Sequence, residues 1–134
     1  MFRRMVALAG IVALVATLAL SHVGYASGYS WISGSAVTGA YTWYGPAYGS
    51  PQRFVTNSAS PGPEIAFYKN SGPSGLQLGA YRCGQQGTFP WGRYPQTTGQ
   101  WKPVADGVPD GTCFYLFTLS SSGSGTFNGW LDWD

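Results

Sequence analysis

Apolar and polar positions alternate along most of the chain in short runs, with a period of two rather than 3.6. Residues 113–120 place Cys113, Tyr115, Phe117 and Leu119 on one face of an extended strand and Phe114 and Leu116 on the other. Both faces require cover, so the segment predicts a central strand of a two-layer or closed structure. In residues 76–83, Leu76, Leu78 and Ala80 alternate with Gln77 and Gly79, the pattern of a strand with one face on a core. Residues 126–133 set Phe127, Leu131 and Trp133 against Asn128, Trp130 and Asp132. Aromatic and β-branched content marks 53–57 and 65–69 as further strands, and 29–33, 40–44 and 100–104 as weaker ones. Gly or Pro interrupts nearly every window before a helical i, i+3, i+4, i+7 pattern is established. The expectation is an all-β, single-domain protein, a small β-sandwich or partly closed barrel of about six to eight short antiparallel strands. Segments 70–75 (NSGPSG) and 120–125 (SSSGSG) read as hairpin loops between the strands that flank them.

The first 26 residues follow a different pattern. Arg3 and Arg4 precede an apolar run from Val6 to Leu20, broken only by Gly10 and Thr17, and Gly24-Tyr25-Ala26 resembles an A-x-A cleavage site. The run is shorter than the roughly 20 residues a spanning helix needs. The reading is a cleaved secretory signal over 1–26 and a single secreted β domain over 27–134, with no membrane attachment after cleavage.

This division changes the charge and chemistry of the working chain. Removing 26 of 134 residues leaves 108 and takes away Arg3, Arg4 and His22, the only histidine. Five bases (Arg53, Lys69, Arg82, Arg93, Lys102) then face five acids (Glu64, Asp106, Asp110, Asp132, Asp134), and the formal charge of +2 falls to zero. Without an imidazole there is no Ser-His-Asp triad and no Cys-His pair. Scattered, balanced bases make nucleic acid a poor partner. Cys83 and Cys113 are the only cysteines, and in an exported chain they predict a disulfide rather than reactive thiols.

Two segments are too aromatic for ordinary loops. Residues 41–48 carry Tyr41, Trp43, Tyr44 and Tyr48; residues 84–100 carry Phe89, Trp91, Arg93 and Tyr94 with no convincing element of their own. Long structureless loops in compact domains are often binding loops, and rigid rings beside an arginine suit recognition. These eight residues are therefore the candidate ligand-binding set. The same rings are also suited to capping the core of a domain poor in aliphatics.

No catalytic residue is assigned. Glycoside hydrolysis needs two carboxylates across a cleft, and Asp132 and Asp134 lie about 7 Å apart along an extended chain, but such a terminal pair reads as a solvated edge that discourages sheet pairing. Asp106 and Asp110 beside glycines read as two turns, since the closing glutamate of a calcium loop is absent; no metal or cofactor is expected. The leading expectation is a secreted, non-enzymatic binding module that presents its aromatic loops to an extracellular glycan or protein, an inhibitor or toxin component included. The alternatives are a self-associating surface or matrix protein and a small carboxylate-dependent hydrolase.

Overall fold

A computed structural model of the protein describes residues 28–56 and 62–134. The expected signal over 1–26 and the end of the expected strand 53–57 lie outside these residues. The chain forms β1 (Gly28–Ala36), β2 (Thr42–Tyr44), a single 3-10 turn (Pro46–Tyr48), β3 (Arg53–Phe54), β4 (Ile65–Ser71), β5 (Leu76–Arg82), β6 (Tyr94–Pro95), β7 (Trp101–Ala105), β8 (Cys113–Ser120) and β9 (Gly125–Trp133). Two antiparallel sheets pack together. One has the order β1-β9-β4-β7; the other has β2-β8-β5-β6, with β3 also paired to β8. The all-β, two-layer expectation holds, and each of the eight predicted strands corresponds to an observed one.

β8 takes the central place that its two apolar faces require. Phe114 and Leu116 join Phe67, Phe127 and Leu131 between the sheets, all buried. Tyr115 and Phe117 face away from that core and form a second cluster with Tyr81 on the outer side. At the start of β8, Cys113 is bonded to Cys83, with Cα atoms 5.4 Å apart, beside the Arg82↔Phe114 pair of the β5–β8 ladder. The predicted disulfide is present.

The two expected hairpins are corrected. Segments 70–75 and 120–125 join β4 to β5 and β8 to β9, and in both cases the two strands belong to different sheets. Turn-rich composition marks a reversal but not which sheet the chain enters next. The crossings lie against each other instead. Ser121 N–H donates to Gly75 O at 2.9 Å and Gly75 N–H to Ser122 O at 3.2 Å, and a Cβ on Gly75 would sit 2.3 Å from Ser122 N.

Three glycines stand directly opposite aromatic residues in the ladders: Gly28↔Trp133, Gly34↔Phe127 and Gly79↔Phe117. In each pair the ring occupies the space a side chain would need, at 1.9, 3.0 and 2.3 Å respectively from an added Cβ. This is how a chain rich in glycine and aromatics, and poor in aliphatics, fills two layers.

The open sides of the sandwich are bridged by side chains. Tyr44 on β2 reaches the outer edge of β1, where its hydroxyl accepts from Ser35 N–H at 2.6 Å and donates to Ser35 O at 2.7 Å. On the opposite side, buried Gln96 donates through Nε2 to Tyr94 O at 3.0 Å and Pro103 O at 3.1 Å, linking the β6 and β7 edges. Unpaired edge groups are thereby covered. Tyr44→Phe keeps the ring but removes both bonds to Ser35, and is expected to lower stability by about 1–2 kcal/mol in chemical denaturation. An unchanged midpoint would show that the phenol does not close this edge.

Candidate functional site

The outer face of the first sheet carries a row of rings that the sequence scatters over a hundred positions. Trp31 on β1 is opposite Trp130 on β9, Trp130 is opposite Tyr68 on β4, and Tyr68 is opposite Trp101 on β7. One aromatic residue from each of four strands therefore lies on one line across the sheet, roughly 14 Å long at the usual strand spacing. Tyr29, two positions before Trp31 on the same face, stacks on Trp130 with centroids 4.7 Å apart and planes 5° from parallel. Trp31 meets Trp130 edge-on at 5.2 Å. Tyr29 also lies 6.2 Å from Trp101, which is 5.6 Å from Tyr68. The two edge-strand tryptophans are the most open, Trp31 at 45% and Trp101 at 40% exposure.

Polar groups flank this row at strand-repeat distance. Asn128 precedes Trp130 by two residues on the same face, and its Oδ1 accepts from Asn70 Nδ2 at 2.8 Å and from Ser71 Oγ at 3.0 Å. The amide is held by these bonds, leaving its own NH2 to donate elsewhere. Ser33 stands opposite Asn128 on β1, and Asp132 opposite Tyr29. The outward positions of this sheet thus combine rings with amide, hydroxyl and carboxylate groups, and among the described residues its outward face carries no Leu, Ile, Val or Met.

The sequence-predicted residues fall into three groups. Tyr41, Trp43 and Phe89 converge on buried Phe117 over the outer face of the second sheet, with Tyr41–Phe89 centroids at 4.9 Å and Trp43–Phe117 at 5.0 Å. Arg93 joins them, donating through Nε to Gln77 Oε1 at 2.6 Å and through a terminal nitrogen to the Tyr41 hydroxyl. Beneath this layer the Tyr81 phenol is pushed above its usual range, chiefly by burial and further by Tyr115. Tyr44 and Tyr48 pack together at 5.1 Å beside the β1–β2 side of the sandwich. Trp91 and Tyr94 separate from the rest. Trp91 packs on the inner core under Arg82, whose guanidinium carbon lies 4.7 Å from the ring, and Tyr94 is paired with Leu78 in β6. β6 is also a correction to the expectation that 84–100 holds no element.

The acids are placed differently from the expected solvated edge. β9 runs between β1 and β4 rather than along an edge. Asp134 is buried, with its N–H donating to Glu64 O at 3.0 Å. Glu64 is also buried, and its Oε1 accepts from Val108 N–H at 2.8 Å, holding down the turn that contains Asp106 and Asp110.

Sequence reading missed Trp31, Tyr68, Trp101, Tyr29 and Trp130 as a group because they are never closer than two residues in the chain and come from four strands. The available signal was Trp130 itself, a large ring in phase with Asn128 and Asp132 on the polar side of its strand. The molecule is thus a two-sheet β-sandwich bearing one aromatic-polar sheet face and one aromatic layer sealed by loops. No family model, curated protein or solved structure matches the chain.

Proposed function

We propose that the protein is a non-enzymatic, secreted glycan-binding module and that its contact surface is the outer face of the β1-β9-β4-β7 sheet. The observation that carries this reading is the in-register row Trp31–Trp130–Tyr68–Trp101. Sugar rings present C–H faces that pack on indole and phenol rings, while their hydroxyls require hydrogen-bonding partners close by. Asn128, Asn70 and Ser33 supply such partners one strand repeat, about 7 Å, from the row. A protein partner would favour a face that also holds aliphatic side chains and an arginine anchor. The row has neither, and the loop cluster with Arg93 has its guanidinium engaged by Gln77 and Tyr41.

Retention on insoluble cellulose, chitin and peptidoglycan, beside a soluble glycan array, tests the reading. Trp31→Ala with Trp101→Ala removes the two open rings and is expected to reduce retention at least tenfold, with a melting temperature within about 4 °C of the parent because both side chains are half exposed. Trp43→Ala with Phe89→Ala uncovers Phe117 and is expected to lower stability while leaving retention of the folded fraction intact. Loss of retention only in that second variant would move the site to the loops. A parent protein that binds no glycan but self-associates in sedimentation, with Trp31→Ala restoring the monomer, would replace the reading with a self-assembling surface protein.

A further inference from the structure

The gap between the sheets on the β1–β2–β3 side is lined by none of the five rings of the aromatic row. It is a cavity of about 170 Å³ whose floor is Leu78, Leu116 and Phe127 and whose lining includes Tyr44, Thr118 and Arg53. Arg53 lies on β3 opposite Phe114, so it shares the inward face of that pair and directs a cation between two apolar layers. Its guanidinium carbon stacks 5.0 Å from the centre of the Trp133 ring. Arg53 Nε and Trp133 Nε1 are both buried without a hydrogen-bond partner among the described residues.

The polar side chains lining this cavity are Ser33, Ser50, Tyr44, Thr118 and Arg53. Thr118 Oγ1 is committed to Ser35 O at 2.8 Å, and the Tyr44 hydroxyl is committed to the same residue. What remains at the Arg53–Trp133 stack is N–H donors without an acceptor, and buried donors in native proteins are rarely left so. A planar guanidinium forks onto a carboxylate. The volume is also informative, since an apolar cavity of roughly 150 Å³ holds benzene. Burial already holds the Arg53 guanidinium below its ordinary range, and a bound anion would oppose that shift.

We propose that this cavity is a binding site for a small organic monocarboxylate, with its apolar body on Leu78, Leu116 and Phe127 and its carboxylate on the guanidinium of Arg53. The class of ligand is an aromatic or short branched acid of about benzoate size. None of the five rings of the outer row lines the cavity, and Ser33 is the one residue of the glycan-binding reading that does.

The test uses the disulfide-bonded protein with benzoate, benzyl alcohol and acetate, followed by NMR chemical-shift titration and by Trp fluorescence. Benzoate is expected to saturate with shifts at Leu78, Leu116 and Phe127, and to bind at least tenfold more tightly than either comparator. Benzyl alcohol binding as well as benzoate would overturn the role of Arg53. Acetate binding as well as benzoate would overturn the apolar subsite and leave only an anion site. No saturable shift at the cavity would overturn the proposal outright. Arg53→Met, checked for an unaltered β-sheet spectrum, is expected to lose at least tenfold in benzoate affinity while keeping retention on whatever glycan the parent binds. The comparison of the three ligands on the parent protein decides the matter even if that variant fails to fold.

Discussion

Replacing Cys83 and Cys113 together by Ala is expected to lower the melting temperature by about 15–25 °C. The bridge closes a loop with a sequence separation of 30, and the chain-entropy relation gives about 3.5 kcal/mol for such a loop. In a domain of this size each kcal/mol shifts the midpoint by roughly 4–8 °C. The position of the bridge adds to its effect. It joins the first residue of β8 to the residue after β5, at the end of the longest ladder of the second sheet, and the backbones are already bonded there through Cys83 N–H and Cys113 O at 3.0 Å. β3 pairs with Cys113 and Phe114 on the other side of β8, so loosening this corner also loosens the strand that carries Arg53. Calorimetry of the oxidised parent against the double variant measures the difference, and a fall of less than about 5 °C would mean that the bridge is not a principal source of stability.

Gly129→Ala is expected to destabilise the protein by about 3 kcal/mol or more, an effect usually associated with gutting a core rather than adding one methyl group. An added Cβ at this position would lie 2.0 Å from Tyr68 O and 2.5 Å from Cζ of buried Phe67. The ring can shift, but the carbonyl belongs to the backbone of β4, next to the position where Lys69 pairs with Gly129. The clash therefore has to separate β4 from β9. Those two strands carry Tyr68 and Trp130, the middle of the aromatic row, so the folded fraction of Gly129→Ala is also expected to bind glycan more weakly. Phe67→Leu added to Gly129→Ala relieves only the ring contact and should recover little of the loss. Urea unfolding of the single and double variants measures both terms; a Gly129→Ala protein within about 1 kcal/mol of the parent would show that the two strands separate without penalty.

Strand positions were legible because period-two alternation is a local property, and Leu76-Gln77-Leu78-Gly79-Ala80 displays it without reference to anything else. The disulfide was legible because two cysteines offer one pairing. The destination of each turn was not. The stretches 70–75 and 120–125 look alike whether the chain folds back beside its own strand or crosses to the other sheet, and that choice depends on partners such as β8 and β9 that are distant in sequence. The candidate site suffered from the same locality. Tyr41, Trp43, Tyr44 and Tyr48 stand out as a cluster in the chain, yet β2 turns Trp43 toward Phe117 and Tyr44 toward Leu116, sending neighbours to opposite faces. Trp31, Tyr68, Trp101 and Trp130 each looked like one ring in one strand, and only register joins them.

The glycine–aromatic pairs have a consequence for how the strands find one another. Only 9% of the residues are charged, so there is little like-charge repulsion with which to reject a wrong alignment. A ring opposite a blank position acts as a key in a slot. If β9 slid by two residues along β1 so that Trp133 met Ser30, Gly34 would face Gly129 instead of Phe127, leaving one site overfilled and the other hollow. A slip of β9 by one would turn Trp130, the ring that links β1 to β4 in the outer row, into the core. The protein thus encodes its alignment in shape rather than in charge, and its register should be correspondingly insensitive to salt.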